Sequence, residues 1–188
     1  MQDTLFVIDA SNANSEDNFK SLRDFAISSQ LPYRFADDTA QVAAMTLADT
    51  PKGGFSFNAP EHSFDNVQML LSNLTFLNRA GQNLSSAMDL AITNYSTPNQ
   101  GYRPSARHIL IYVTSTNPTD DDPASRIYAI RRQGTYQIAI VTLGLTPSQK
   151  LLSTVSKDCM YQAKDVDDLK TNGANFVHGL SCAVIPQC

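Results

Sequence analysis

The sequence predicts a doubly wound α/β fold, in which helices cover both faces of a mostly parallel sheet of six strands. Strand-like and helix-like segments alternate along the chain, and the strand-like segments are short apolar runs such as His-Ile-Leu-Ile-Tyr-Val at 108–113. No internal repeat or linker divides the 188 residues. In such a fold ligands collect where the strands end, so a binding site is expected at the loops after residues 8 and 113 and around residue 81.

The expected elements follow from the spacing of apolar residues. Strands are expected at 5–8, 41–47, 53–57, 108–113, 136–143 and 160–163, and the third follows a turn too short for a parallel crossover, so it is expected to be antiparallel. Helices are expected at 15–29, 63–74, 84–92, 122–134, 147–155 and 166–182. Ser15 is a suitable cap for the first helix, and Asp122-Pro123 is a typical helix start.

Composition and charge exclude several classes of function. Apolar residues make up 42% of the chain and the formal net charge is −4, which argues against a nucleic-acid surface. No apolar run approaches the roughly 20 residues that span a bilayer, so no membrane insertion is expected. We expect a single domain over 1–188, with a core at 4–182 and a tail at 183–188. A strand beginning so close to residue 1 suggests a piece of a longer secreted protein.

Polar motifs stand where the strands end. The first strand runs into Asp9-Ala10-Ser11-Asn12-Ala13, and Leu47-Ala48-Asp49 ends the second. Gly81-Gln82-Asn83 precedes a helix rich in small residues, the strand at 109–113 runs into Thr114-Ser115, and the strand at 138–143 is followed by Gly144. Together with the helix start at 165–169, these motifs occur in the order typical of the von Willebrand factor A (VWA) family. The chain resembles that family over nearly its whole length. The resemblance implies a metal-ion-dependent adhesion site (MIDAS) that starts at the end of the first strand.

The chain departs from the family's site at three positions. The resemblance implies two Asp, two Ser and a Thr around a divalent cation, which prefers oxygen ligands. Asp9 and Ser11 are kept, whereas Ala13, Gln82 and Ser115 replace the second Ser, the Thr and the second Asp. At an effective dielectric near 20, one lost charge about 4 Å from the ion costs several kcal/mol of binding. We therefore expect no tight metal site, no cofactor, and an Asp9 carboxylate that is hydrogen-bonded between loops.

The function predicted from this reading is a non-enzymatic interaction or adhesion module of a secreted or extracellular protein. The expected ligand-binding face consists of Asp9, Ser11, Ala13, Gln82, Asn83 and Ser115, and the partner is expected to be a protein or a matrix or glycan component. The alternative is a cation-dependent adhesion domain with a rebuilt calcium or magnesium site that uses Asp9 and Ser11, with oxygens added from Asp120–Asp122. An enzyme such as a hydrolase or phosphotransferase is disfavoured because neither a glycine-rich turn nor Asp-x-Asp follows the first strand, where Ser11 stands in place of the second Asp, and no Gly-x-Ser-x-Gly occurs.

Cysteines and glycosylation sequons bear on the compartment. Cys159, Cys182 and Cys188 lack the Cys-x-x-Cys spacing of zinc sites. Since strands begin and helices end at the same edge of such a sheet, a Cys159–Cys182 disulfide is expected, which leaves Cys188 to pair outside the chain or with Cys182 instead. Asn73, Asn83 and Asn94 each begin an Asn-x-Ser/Thr sequon, so they are possible N-glycosylation sites of a secreted protein.

Overall fold

The sheet has six strands in the order β3-β2-β1-β4-β5-β6. The computed structural model describes residues 1–36, 38–59, 62–117, 122–182 and 188, although at 181 and 182 it describes the backbone alone. The strands are β1 (Gln2–Asp9), β2 (Ala40–Leu47), β3 (Pro51–Phe55), β4 (Arg107–Thr114), β5 (Gln137–Leu143) and β6 (Met160–Ala163). All neighbouring strands are parallel except β2 and β3. The predicted fold class is therefore confirmed, including the single antiparallel strand.

The helices lie in two groups around the sheet. They are α1 (Glu16–Ser28), α2 (Phe64–Ser72), α3 (Leu84–Leu90), α4 (Ala124–Gln133), α5 (Gln149–Leu152), α6 (Val166–Asp168) and α7 (Ala174–Cys182), with π-helical turns at Ala91–Tyr95 and Leu169–Gly173. Helix α1 contacts α2 and the second π-helical turn, whereas α3 contacts α4. Within the described residues, no helix is long and apolar enough to cross a membrane.

The central strands explain why the fold forms. Every residue of β1 from Asp3 onward is buried, as are all residues of β2, so both faces of these strands are covered. Burying one large aliphatic or aromatic side chain contributes about 1.5–3 kcal/mol, and β1 alone buries four such residues at 5–8. Helix α1 adds its predicted apolar face, which is buried at Phe19, Leu22, Phe25 and Ala26. Its first turn is capped by Ser15, whose hydroxyl accepts a hydrogen bond from the Asn18 N–H.

The antiparallel edge strand begins earlier than the sequence indicates. It spans Pro51–Phe55 rather than 53–57, and its pairing with β2 shifts register between Ala44 and Met45. Phe57 leaves the strand and is fully buried, with its ring 6.3 Å from the His108 ring in an edge-on arrangement. The free energy gained by burying this aromatic side chain exceeds what a longer edge strand would gain, because an edge strand forms hydrogen bonds to a neighbouring strand on one side only.

The amino ends of the strands form a basal edge with a buried polar cluster. The carboxylate of Asp3, fully buried, accepts hydrogen bonds from the Arg103 guanidinium and lies 3.2 Å from Nε2 of His108. The His108 ring stacks on Tyr102 with ring centroids 4.0 Å apart. His108 thus packs within this buried polar cluster at the start of β4.

The same edge carries a disulfide that differs from the predicted one. Cys159 is joined to Cys188, with Cα atoms 5.5 Å apart, so the predicted Cys159–Cys182 bridge is wrong. The reason is tertiary: the Cys188 carbonyl accepts a hydrogen bond from the Ile138 N–H, which places residue 188 beside the start of β5 and next to Cys159. Cys188 is engaged within the chain, which also contradicts its expected pairing with Cys182 or with another molecule.

Candidate functional site

The candidate site lies where β1 and β4 end. Asp9 is the last residue of β1, Thr114 is the last residue of β4, and Gln82 lies in the loop that leads into α3. Carboxyl ends of adjacent parallel strands meet at one edge of a sheet, which is why residues more than 100 positions apart come together here. We call Asp9 and the residues that donate to its carboxylate the Asp9 cluster: Ser11, Gln82, Thr114 and Thr116.

The Asp9 carboxylate is fully buried and accepts hydrogen bonds from four described residues. Oδ1 accepts from the backbone N–H of Ser11 at 3.0 Å. Oδ2 accepts from the hydroxyl of Thr114 at 2.8 Å, the hydroxyl of Thr116 at 2.9 Å and the side-chain amide of Gln82. Charge-assisted hydrogen bonds of this kind compensate a buried carboxylate without a counter-ion. Asp9 therefore connects three separate loops.

Gln82 connects the loop before α3 to both strand ends. Its amide nitrogen donates to Asp9 and also to the Thr116 hydroxyl, and its side chain is 2% exposed. The next residue, Asn83, is half-buried and caps α3, because its Oδ1 accepts from the Ser86 N–H at 3.0 Å. Of these two predicted site residues, Gln82 therefore joins the Asp9 cluster, whereas Asn83 serves the helix.

Ser115 lies in a second, neutral network beside the cluster. Its hydroxyl donates to Oδ1 of Asn14 and accepts from the side-chain amide of Asn18 at 3.3 Å. The Asn14 amide in turn donates to the Asp9 carbonyl at 3.1 Å. Where the family has a second carboxylate, this chain thus has a hydroxyl engaged by two asparagines. Ala13 is exposed and presents only a methyl group.

Ser11 is the one member of the expected face with an unsatisfied side chain. Its backbone forms a parallel bridge with Arg79, and its Oγ is buried without a hydrogen-bond partner among the described residues. Buried polar atoms are almost always paired, so this hydroxyl marks the position in the site where an ion or a water would supply the missing partner. This is the single feature of the site that favours a bound ligand.

The described residues offer no clustered set of metal ligands. No group of three or more His, Cys, Asp or Glu that could hold an ion occurs among them. Asp120 and Asp121, the additional oxygen ligands of the cation-dependent alternative, lie outside the described residues. Asp122 is exposed, and its Oδ1 accepts from the Ala124 N–H at the start of α4, as expected of a residue beside a helix start.

Sequence reasoning missed three participants in this site. Asn14 and Thr116 were not singled out, and Thr114 was noted only as part of the strand motif. The available signal was the run of hydroxyl residues at 114–116 after an apolar strand, because hydroxyl groups at a strand end can reach a carboxylate on the next strand.

The three sequon asparagines differ in exposure. Asn73 is exposed and follows the last residue of α2. Asn83 and Asn94 are half-buried, the first as the cap of α3 and the second within a π-helical turn. Glycosylation of all three remains a prediction, and Asn73 has the most accessible side chain.

Comparison with known proteins places this geometry in context. The chain is 27% identical to the Caenorhabditis elegans protein irg-7 over 178 residues, which is 89% of this chain and 8% of that protein. It is 25% identical to the collagen alpha-1(XII) chain of Notophthalmus viridescens over 185 residues, covering 94% of this chain and 20% of the collagen. The chain thus spans a fifth or less of the length of these relatives.

Solved structures share the fold. Proximal thread matrix protein 1 from the mussel byssus superimposes with a TM-score of 0.86 at 14% identity, covering 97% of this chain and 48% of that one. A second structure of that protein, described as having a zinc-occupied MIDAS motif, gives 0.80 at 20% identity, covering 96% and 46%. The family model of the von Willebrand factor type A domain matches residues 3–173. The chain therefore belongs to the von Willebrand factor type A domain family.

Proposed function

We propose that this domain is a non-enzymatic protein-interaction module of an extracellular protein and that it binds its partner without a metal ion. Membership of the VWA family, together with relatives that include two collagens and a byssus matrix protein, supports an interaction module in a matrix setting. The observation that supports the metal-independent part is that the Asp9 carboxylate accepts hydrogen bonds from four residues, which are Ser11, Gln82, Thr114 and Thr116.

The donor set does not fit the divalent cation that the family's site implies. A hard cation requires oxygen lone pairs, whereas Gln82 directs its amide N–H groups at Asp9 and Thr116. Asp9 is the only carboxylate of the cluster, and the hydroxyl of Ser115 is held by Asn14 and Asn18. An ion at this position would have to displace hydrogen bonds that already stabilise the charge of Asp9.

Thermal unfolding tests this proposal directly. We expect the same Tm in chelator, magnesium and calcium. An ion at 100 times its Kd would stabilise the native state by about 2.7 kcal/mol, which corresponds to roughly 5–10 °C for a domain of this size. As a positive control, the variant A13S/Q82T/S115D restores the family's oxygen ligands, and we expect its Tm to rise in magnesium.

A binding measurement addresses the interaction itself. The domain, applied to immobilised extracellular-matrix extract, is expected to bind equally in chelator and in magnesium. Loss of binding in chelator would overturn metal independence, and absence of binding under both conditions would count against a matrix partner. Turnover of generic phosphatase or esterase substrates would contradict the non-enzymatic assignment.

A cation-dependent adhesion domain is the second candidate, and the orphaned Ser11 hydroxyl favours it. In that case Asp9 and Ser11 would be the ligands. A magnesium-induced Tm increase in the wild-type domain that is lost in Ser11→Ala would support this function over the first.

A further inference from the structure

A groove runs along the edge strand β3, on the side that faces α2. Two adjoining cavities of about 200 and 380 Å³ form it, and they share Lys52 and Thr75 as lining residues. Each is several times larger than the roughly 30 Å³ that one water occupies in the liquid, so both accept side chains. The cavity of about 200 Å³ reaches Leu70 on α2, and the cavity of about 380 Å³ reaches Arg79. We call the end at Arg79 the upper end of the groove.

The upper end of the groove is attached to the candidate site. The Arg79 carbonyl accepts a hydrogen bond from the Asn12 N–H at 2.8 Å, and Arg79 forms the parallel bridge with Ser11. The groove therefore begins at Arg79, beside the loop that follows β1, and continues along β3. A ligand in its upper end would lie next to the candidate site.

The backbone of β3 is available for pairing. In the part of the chain that the structure describes, β3 pairs with β2 alone and forms the edge of the sheet. Gly53 and Gly54 are exposed and have no side chains to shield the main chain. An edge strand of this kind presents N–H and C=O groups to which an extended segment can add.

The groove is positively charged, although the chain as a whole has a net charge of −4. Lys52 and Arg79 are both exposed and line it, and none of the carboxylates that the structure describes does. Asp49, the acidic residue immediately before this segment, is exposed but does not line either cavity. Neither cation forms an ion pair with another described residue.

We propose that this groove binds an extended acidic segment of a partner protein, which adds as a strand beside β3 and places its carboxylates against Lys52 and Arg79. This inference rests on the proposed function, because it assigns a location and a chemistry to metal-independent binding. In this binding mode the guanidinium of Arg79 can pair two N–H groups with one carboxylate of the partner. It thereby supplies the positive charge that a cation supplies in a metal site.

A defined peptide probe tests the proposal. The domain is produced in bacteria, since Asn73 lines the groove and a glycan there would cover it. A fluorescent alternating Thr-Glu peptide is expected to bind in chelator, more weakly as salt increases, while the Thr-Gln and Thr-Lys analogues bind poorly. Lys52→Ala and Arg79→Ala are each expected to weaken binding roughly two- to fivefold, as for exposed charge pairs.

Two controls separate groove binding from general charge attraction. Arg132→Ala removes an exposed cation on α4, away from the groove, and is expected to leave binding unchanged. A Thr-Glu peptide N-methylated at alternate residues cannot donate the same main-chain hydrogen bonds. Its affinity is expected to fall at least about tenfold, because a row of such bonds is lost.

The outcomes distinguish the two proposals. If the peptide does not bind with or without magnesium, the proposed groove ligand is wrong. The proposal of metal-independent function would still stand on its own test, the equal Tm in chelator, magnesium and calcium. Binding that requires magnesium would overturn metal independence. An N-methylated peptide that binds as tightly as the unmethylated one would show that strand pairing is not involved. A loss of affinity in Arg132→Ala as large as in Lys52→Ala would show that binding is not localised to the groove. Heparin serves as a polyanion that is not a polypeptide, and its preferential binding would show that an extended acidic polypeptide is not the ligand.

Discussion

At the scale of single residues, Gln82 determines the chemistry of the Asp9 cluster. A buried carboxylate requires either a cation or several hydrogen-bond donors, because burial of an uncompensated charge is strongly unfavourable. Here the amide of Gln82 and two threonine hydroxyls converge on Oδ2, and the Ser11 N–H occupies Oδ1. A threonine at position 82 would offer a ligand oxygen, whereas the glutamine amide offers protons to the carboxylate.

Substitution of Asp9 by asparagine tests this hydrogen-bond network. In Asp9→Asn an amide group would face donors from Gln82, Thr114 and Thr116, so at least one buried donor would lose its acceptor. We expect the free energy of unfolding to fall by roughly 2–3 kcal/mol, the contribution of a hydrogen bond to a charged group. Urea denaturation measures it.

The control for this substitution is Asp49→Asn at an exposed carboxylate. It is expected to change stability by less than about 0.5 kcal/mol, as is usual for surface sites. Similar stability of Asp9→Asn and the wild type would mean that Asp9 is not a structural acceptor, and the metal-binding alternative would gain weight.

At the scale of elements, the accuracy of prediction depended on how local the determining interactions are. The strand β1 and the helix α1 were predictable because their own apolar spacing and the Ser15 cap specify them. The bounds of β3 were not, because they depend on a register shift in β2 and on burial of Phe57 elsewhere. In the site, Asp9 and Ser11 follow from the motif. For Thr116 the sequence offers only a run of hydroxyl residues at 114–116, because the loop conformation decides which of them reach Asp9.

The close approach of β3 to the segment that follows α2 provides a prediction at this scale. A Cβ added at Gly54 would lie 2.5 Å from Cδ2 of Leu74 and 2.8 Å from the Ala44 carbonyl oxygen, and the latter is backbone of the neighbouring strand. Gly54→Ala is therefore expected to destabilise the domain by about 1–3 kcal/mol, as overpacking does. Gly53→Ala is the matched control, since its nearest neighbour would be the Tyr95 hydroxyl at 3.4 Å. Equal stability of the two variants in chemical denaturation would contradict the close packing.

The short helix α6 provides a pH-dependent prediction, because Asp168 is its last residue. Hydrogen bonds from the Asn172 amide, the Lys164 N–H and the Tyr161 hydroxyl lower the pKa of Asp168 from 3.8 to about 2. Because the pKa is lower in the folded state, the stabilisation is complete above pH 3.8 and is lost as the pH falls towards about 2.

Thermal unfolding at a series of acidic pH values measures this effect. We expect Asp168→Asn to have a lower Tm than the wild type above pH 3.8, and the difference to shrink as the pH approaches about 2. Asp167→Asn alters an exposed neighbour and should run parallel to the wild type. A pH-independent difference for Asp168→Asn would show that the carboxylate charge is not involved.

At the scale of the whole molecule, the two edges of the sheet have different roles. The basal edge is held by the buried group of Asp3, Arg103 and His108 and by the Cys159–Cys188 disulfide. The opposite edge carries the Asp9 cluster, and the groove descends from it along β3. The disulfide and the buried ion pair hold the basal edge together, and the polar loops lie at the opposite edge. Loops positioned by a sheet in this way commonly carry binding residues.

The disulfide is the strongest test of how the chain closes. The bridge joins residues separated by 29 positions, and the loss of chain entropy in the unfolded state predicts a stabilisation of about 3–4 kcal/mol for a loop of that length. Cys188→Ser is therefore expected to lower the free energy of unfolding by about that amount, whereas Cys182→Ser should leave it nearly unchanged because Cys182 is not part of the bridge. Peptide mapping without reduction should recover Cys159 linked to Cys188. A large loss of stability in Cys182→Ser, together with a Cys159–Cys182 peptide, would reinstate the pairing predicted from the sheet edge alone and would leave residue 188 free to link to another chain.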